Sequence, residues 1–129
     1  MLLAVAKLGT EPAIRLLNPI AAQMDVMRTT LWGGLIETLR ANLNRKASRV
    51  RLFEVGRVFA ADASVAPGPL AVKGIRQPEM LAAIAYGPVA DEQWGQPARA
   101  VDFFDAKGDL QSLFGTRALR FERAAHQAL

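Results

Sequence analysis

The sequence contains no cysteine and only one histidine, His126. Without thiols the chain can form neither disulfides nor thiolate metal sites, and it offers no cysteine nucleophile, which fits a reducing compartment. A single imidazole, with no neighbouring group to orient it as a base, cannot build a histidine-based catalytic triad or a multi-histidine metal site. These absences argue against the commonest hydrolytic and metal-dependent mechanisms.

Long hydrophobic runs are also missing, since no stretch approaches the roughly 20 apolar residues of a membrane span. The N-terminal MLLAVA lacks the basic flank and cleavage context of a signal peptide, so we expect a cytoplasmic protein with no membrane partner. Half of the 129 residues are hydrophobic and 22% are charged, which is typical of one folded domain. The net charge of +4 is a mild bias toward acidic partners such as RNA.

Apolar residues recur at spacings of three and four from Trp32 to Leu43, which predicts an amphipathic helix. Thr29 or Thr30 is a suitable N-cap. The helix should end near residues 45–46, where cations favour the negative helix end.

Residues 49–60 (RVRLFEVGRVFA) alternate with period two and carry apolar side chains on both faces, so we expect an interior strand of a covered sheet. Glu54 is a charged residue on a face where its neighbours, Leu52 and Val58, are apolar. It is either a polar remnant of a ligand pocket or a buried carboxylate paired with an arginine from a neighbouring strand, and we favour the pair. Further strands are predicted at 14–19, 80–87 and 118–124.

Between these strands, residues 61–79 are rich in proline, glycine and small side chains, which indicates an irregular, flexible loop. Helical spacing returns at 102–115, and Gly115 suits the end of that helix. The predicted order is strand, helix, strand, strand, helix, strand. Consecutive strands without helical crossovers favour an α+β fold with an antiparallel sheet and flanking helices. Because the chain stops directly after a strand, we expect an incomplete domain.

Three aspartates, Asp102, Asp105 and Asp109, stand at helical spacings that could gather carboxylates for a hard metal ion. Two of them lie near the helix N-terminus, where the helix dipole alone favours acids. We therefore expect no metal site. Trp94, Phe103 and Phe104 are most simply residues of the core or its edge, although exposed aromatics could mark a partner surface.

Several motifs together resemble one known family. They are LLNPIAAQMDVMRTTLWGGLIETLRANLNRKASRVRLFEVGRVF (16–59), GIRQPEMLAAIAYG (74–87), QWG (93–95) and VDFFDAKGDLQSLFG (101–115). The β subunit of bacterial phenylalanyl-tRNA synthetase shows the same order: an Asn-Pro-Ile turn, Met-Arg-Thr-Ser-Leu, a helix ending in Asn-x-x-Arg, and an Arg-x-Phe-Glu-x-Gly strand. Separated motifs in the correct order make the resemblance specific.

This resemblance implies a class II aminoacyl-tRNA synthetase-like domain that is a degenerate copy of the catalytic fold. In the family it packs on the catalytic α subunit within a heterotetramer of two α and two β subunits. The parent enzyme joins phenylalanine to tRNA(Phe) with ATP and magnesium. The full β subunit is several times longer, so residues 1–129 are expected to form a single partial domain that binds no cofactor of its own.

The residues themselves support a non-catalytic role. A class II active site needs an arginine for the ATP phosphate, usually two residues before a glutamate on a long strand. Here Leu52 stands two residues before Glu54, and no later glycine-rich signature ends in arginine. We therefore assign no catalytic residue.

Two surfaces are candidates for contacts. From the resemblance, a subunit interface is expected at the junction before the first helix; from the residues alone, that junction is a capped helix start with a surface arginine. The expected interface residues are Met27, Arg28, Thr29, Leu31 and Trp32. Alternatively, the chain is a small basic RNA-binding module whose phosphate contacts are Arg45, Lys46 and Arg49. No aromatic residue interleaves that cluster to stack a base, which favours a solvated helix end.

Overall fold

A computed structural model describes residues 13–122 of the chain. It contains two α-helices, four β-strands and one 3-10 turn, Ala22–Met24. The helices are α1 (Trp32–Asn44) and α2 (Phe103–Phe114), and the strands are β1 (Val50–Arg57), β2 (Ala60–Ala61), β3 (Ile75–Arg76) and β4 (Glu79–Tyr86). The predicted α+β class with antiparallel pairing is confirmed.

The two long strands, β1 and β4, pair antiparallel along their whole length, from Val50 opposite Tyr86 to Arg57 opposite Glu79. The short strands β2 and β3 form a separate two-stranded antiparallel ribbon. Our expectation that residues 49–60 form one interior strand was wrong. Within residues 13–122, β1 has a single neighbour and ends at Arg57, before β2 begins.

One face of the β1–β4 ribbon is covered by α1, which contacts both strands. The buried apolar side chains of the described residues are few: Leu31, Leu35, Val50 and Ala60, with exposed fractions of 3 to 8%. On the opposite face Phe53 is 75% exposed and Val55 56%. Apolar residues on both faces of a strand indicate two covered faces, but the part of the chain that the structure describes covers only one.

Helix α1 has the predicted bounds to within a residue, yet it begins differently. Its N-cap is Leu31, which provides no side-chain hydrogen bond. Thr30 accepts instead from the backbone N–H of Trp32, at 3.2 Å, so this threonine satisfies a first-turn donor from one position before the cap. The predicted cap at Thr29 or Thr30 was therefore wrong in position, although Thr30 performs a related task.

At the N-terminal side of α1 the chain forms a hairpin in place of the strand predicted at 14–19. Only Arg15 and Val26 pair as a β-bridge. The backbone N–H of Leu16 donates to the carbonyl of Asp25 at 2.7 Å, and that of Met27 to the carbonyl of Ile14 at 2.8 Å. We call residues 13–28 the N-terminal hairpin and residues 16–24 its tip.

The turn after β4 requires a glycine. Gly87 has φ +85°, and a Cβ there would overlap the carbonyl of Ser48, so the turn lies directly against the segment between α1 and β1. Residues 61–79 are irregular, as predicted, apart from the end of β2, the strand β3, the first residue of β4 and a β-bridge between Gly68 and Ala71. Their flexibility stays a prediction.

Helix α2 lies within one residue of the predicted range at each end, and Gly115 is its C-cap. The strand predicted at 118–124 is not present over residues 118–122; the remainder of it, and His126, lie outside the described residues. Trp94, Phe103 and Phe104 are exposed rather than core residues, with exposed fractions of 103%, 59% and 75%. Helix α2, which begins at Phe103, has no buried residue.

Candidate functional site

The polar group that joins the N-terminal hairpin to β1 is the side chain of Arg28. Its guanidinium Nη1 donates to Glu54 Oε1, and its Nε donates to the carbonyl of Arg57 at 2.8 Å. Its own carbonyl accepts from the backbone N–H of Phe59 at 2.9 Å. Side chain and backbone of one residue therefore bind the same strand end. We call Arg28, Glu54 and Gly56 the arginine latch.

Gly56 belongs to the latch because it leaves room for the guanidinium. A Cβ on Gly56 would overlap Arg28 Nη2 far inside van der Waals contact. The other carboxylate oxygen, Glu54 Oε2, lies 3.5 Å from where a Cβ on Gly34 would stand, in the first turn of α1. The carboxylate thus lies between the guanidinium and the helix, and Gly34 itself faces no steric exclusion.

The predicted Glu54–arginine pair is confirmed, but two of its features differ from expectation. The partner comes from the segment before α1 and not from a neighbouring strand. The pair is also half-exposed, with side-chain exposures of 43% for Arg28 and 33% for Glu54. Twenty-six residues separate the two in sequence, so no local spacing could have identified the partner.

The residues expected at a subunit interface fall into different environments. Leu31 is 3% exposed and belongs to the core, while Met27 and Thr29 are half-buried. The guanidinium of Arg28 is bound to Glu54 and to the carbonyl of Arg57, both in the same chain. Among these five, Trp32 presents a large apolar side chain to solvent, at 39% exposure.

The residues expected to contact RNA are likewise divided. Arg45 and Lys46 are exposed at the end of α1, where Lys46 adopts a positive φ of 67°. Arg49, in contrast, donates from Nε and Nη2 to the carbonyl of Val89, at 3.3 and 3.1 Å. Two nitrogens of its guanidinium therefore bind the turn after β4.

The neighbouring Arg51 binds the same turn more extensively. Its Nη1 donates to the carbonyls of Tyr86 and Val50, at 2.8 and 2.9 Å, and its Nη2 to the carbonyl of Pro88 at 2.9 Å. The guanidinium thereby supplies donors to carbonyl oxygens at the end of the β1–β4 ribbon and in the turn that follows it. Part of the basic patch is therefore structural.

The aspartates considered for a metal site cap α2. Asp102 accepts from the backbone N–H groups of Phe104 and Asp105, at 2.8 and 3.2 Å, and Asp105 accepts from the backbone N–H of Asp102 at 2.9 Å. This reciprocal pair is a capping box. Asp109 is exposed. No cluster of three or more potential metal-ligating side chains occurs in residues 13–122.

A guanidinium completes this cap. Arg99 donates to both oxygens of Asp105, at 2.7 and 2.6 Å. Hydrogen bonding from Arg99, followed by that from the Asp102 backbone, lowers the pKa of Asp105 to about 2. The hydrogen bonds between Arg99 and Asp105 also raise the pKa of Arg99. The ionised forms of both groups are therefore favoured in the folded chain.

The hairpin tip is a surface that the sequence motifs did not single out. Leu17 and Ile20 are each 98% exposed and Met24 is 60% exposed, next to the Arg15–Asp25 ion pair. The available signal was the run LLNPIAAQM, nine residues that contain two leucines, an isoleucine and a methionine without any charge.

None of the helices in the described residues is both long and apolar enough to cross a membrane. Together, the observations define a small α+β domain in which the side chains of Arg28, Glu54, Asp102 and Asp105 bind groups of the domain itself.

Comparison with known proteins identifies the family. Residues 2–129 match the family described as "Phenylalanyl tRNA synthetase beta chain CLM domain", and the chain belongs to this family. The resemblance inferred from the sequence motifs is thereby confirmed.

Curated relatives agree with this assignment. The chain is 64% identical over 121 residues to the phenylalanine–tRNA ligase beta subunit of Ralstonia nicotianae and 60% identical over 121 residues to that of Burkholderia lata. It is 54% identical over 123 residues to the protein of the same name from Bordetella parapertussis. Each match covers 94% of this chain and 15% of the relative, so the chain spans a small part of the length of these proteins.

Proposed function

We propose that the chain is a non-catalytic structural and interaction domain of the β subunit of a phenylalanine–tRNA ligase, with a degenerate class II synthetase-like fold. It supports ATP-dependent ligation of phenylalanine to tRNA(Phe) in the cytoplasm by packing on the catalytic α subunit. The assembly is a heterotetramer of two α and two β subunits.

The observation that supports this proposal is that Glu54 is bound by residues of its own domain. Leu52 and Glu54 lie on the same face of β1, where a phosphate-binding arginine and its glutamate would stand in a working class II site. The Glu54 carboxylate is instead bound by Arg28 and lies against the first turn of α1 at Gly34. A nucleotide phosphate would have to displace an internal ion pair and would meet leucine in place of arginine.

The described residues do not fit ATP or magnesium. Asp102 and Asp105 are engaged in capping α2, and the Arg99 guanidinium is bound to Asp105. We propose that the nucleotide and the metal ion bind elsewhere in the parent enzyme. The exposed cations Arg45 and Lys46 leave room for proximity to tRNA, but the neighbouring Arg49 and Arg51 are bound to the chain's own carbonyls.

The packing role is tested by amide hydrogen exchange on the full-length β subunit, alone and in complex with its α subunit. We expect exchange to slow in part of residues 13–122 when the α subunit is present. Unchanged exchange throughout this range would overturn the packing proposal.

The non-catalytic role is tested by Glu54→Gln in the assembled enzyme. If the chain has no chemistry of its own, kcat per assembled tetramer should stay within about twofold of the wild type, whereas loss of a catalytic carboxylate typically lowers kcat by a factor of about 100 or more. Assembly is measured separately by sedimentation, so that a loss of tetramer is not mistaken for a loss of chemistry.

A further inference from the structure

The C-terminal end of α1 carries three exposed cations without an ion-pair partner among the described residues. Arg40, Arg45 and Lys46 are exposed, and no ion pair in the described part of the chain includes them. They belong to residues 38–53, which contain five cations and no acid. We call Arg40, Arg45 and Lys46 the α1 basic end.

The helix does not need these side chains to complete its last turn. The backbone N–H of Arg45 donates to the carbonyls of Ala41 and Asn42, at 3.3 and 3.0 Å. The backbone N–H of Lys46 donates to the carbonyl of Leu43 at 2.9 Å. Backbone donors therefore satisfy the last carbonyls of α1, so capping does not explain the cationic side chains.

Lys46 stands at a position that suits glycine better. Its φ of 67° lies in the left-handed region, where helices commonly end on glycine because a Cβ is disfavoured there. A lysine at this position costs stability, and the helix dipole returns little for one more exposed cation beside Arg45. The lysine is explained if its ammonium group has an anionic partner outside the described residues.

The composition of this surface selects the kind of partner. Besides the three cations, the exposed residues from 40 to 46 are Ala41 and Asn44, so the surface has no large apolar side chain to bury. Contacts with another folded surface, whether of the same chain or of a second subunit, are anchored by apolar and aromatic side chains. A nucleic-acid backbone needs only cations and hydrogen-bond donors. Because no aromatic residue is present to stack a base, a double-stranded stem fits better than a single strand.

We propose that the α1 basic end binds phosphates of a double-stranded stem of the tRNA held by the parent ligase. This inference rests on the proposed function and adds a contact with the RNA to the contact with the α subunit. Asp91 and Glu92, which line a cavity together with Ser48, limit the contact on the side of the turn after β4. The contact is independent of sequence, because every stem presents the same phosphates.

The test uses the assembled ligase and tRNA(Phe), with affinity measured over a series of salt concentrations. Arg45→Gln with Lys46→Gln should weaken tRNA binding by about tenfold at low salt. It should also reduce the slope of log affinity against log salt concentration by about two, one for each phosphate contact removed. Lys73→Gln with Arg117→Gln is the matched control, since both are exposed cations outside α1, and it should change the affinity by less than about twofold.

Lys46→Gly separates RNA binding from folding. Glycine suits the φ of 67° better than lysine, so the thermal unfolding midpoint of the β subunit should not fall. The affinity for tRNA(Phe) should nevertheless fall by about threefold or more, and the salt slope by about one. A lysine with a purely structural role would leave both the affinity and the slope unchanged, which would overturn the inference.

Sedimentation of each variant measures assembly independently of RNA binding. Loss of the tetramer in Arg45→Gln with Lys46→Gln would assign these cations to an acidic protein surface and overturn the inference. Unchanged tRNA affinity in an intact tetramer, or affinity lowered equally at every salt concentration, would overturn it as well. Either of these last two results leaves the proposed packing role standing, because that role fails only if the α subunit does not slow hydrogen exchange in residues 13–122.

Discussion

Arg28 and Glu54 lie 26 residues apart in sequence and form an ion pair that fastens the N-terminal hairpin to β1. The guanidinium also binds the carbonyl of Arg57, and it occupies space that only a glycine at position 56 leaves open. Arg28 therefore binds the carboxylate of Glu54 and the end of β1, and its position requires that residue 56 have no side chain.

The coupling within this pair can be measured directly. A double-mutant cycle of Arg28→Ala and Glu54→Ala should give an interaction energy of about 1 kcal/mol, because both side chains are half-exposed and solvent screens the pair. Arg28→Ala alone should cost more, since it also removes the hydrogen bond to Arg57. Urea unfolding of the four proteins measures these free energies. An interaction energy of zero would mean that the pair contributes only geometry.

Gly56→Ala tests the steric part of the latch. The added methyl group should displace Arg28 and lower the free energy of unfolding by about 1–3 kcal/mol. In an Arg28→Ala background the same substitution should cost much less, because the obstructing guanidinium is gone. The matched control is Gly108→Ala in α2, where a Cβ meets nothing within 4 Å; it should stabilise by about 0.5–1 kcal/mol. Equal costs in both backgrounds would contradict the latch geometry.

Arg51 should contribute more to stability than an exposed cation of the same type. Arg51→Ala removes donors from the carbonyls of Val50, Tyr86 and Pro88, and it should lower the free energy of unfolding by about 1–2 kcal/mol. Arg40→Ala, at an exposed position in α1, should change it by less than about 0.5 kcal/mol. Thermal unfolding of both variants compares the two. A similar loss in each would assign the effect to net charge instead of to the turn.

Acid should weaken the cap of α2 in a defined pH range. The pKa of Asp105 is lowered from 3.8 to about 2, first by the Arg99 hydrogen bonds, so its ionised form stabilises the fold above pH 3.8. That contribution is lost as the pH falls from 3.8 toward about 2, because the carboxylate then takes up a proton in the folded chain as well.

Asp105→Asn should remove this pH dependence. The stability difference between wild type and variant should be largest near about pH 5 and should shrink as the pH approaches about 2. Urea midpoints measured at both pH values give the comparison, and Asp91→Asn serves as the control at an exposed position. A difference that stays constant, or that grows in acid, would show that Arg99 does not hold the carboxylate in its ionised form.

Much of the secondary structure follows from the sequence because short-range patterns encode it. Apolar spacing of three and four residues predicted α1 and α2, and a compact apolar run with a Gly-Pro stop predicted β4. The acidic start of α2 was correctly attributed to the helix end, since a cap needs only residues within one turn. The ordered motifs also identified the family, which the match over residues 2–129 confirms.

The candidate site was predicted less completely. That Glu54 pairs with an arginine could be inferred from a carboxylate among apolar neighbours, because an unpaired charge there is costly. The identity of that arginine could not be inferred, because the sequence pattern does not distinguish Arg15, Arg28 and the arginines of the strands. The covered sheet predicted around β1 was wrong for the same reason: apolar alternation shows that a face can be buried, and not what lies on it.

The sequence by itself therefore determined the two helices, the two long strands, the cap of α2 and the family, since each depends on residues a few positions apart or on the order of motifs. The tertiary structure decided that Arg28 joins the hairpin to β1, that Arg49 and Arg51 bind carbonyls of the turn after β4, and that Leu17 and Ile20 point away from the fold. These contacts depend on strand register and on the path of the chain between distant segments, which bring together groups that no spacing along the sequence relates.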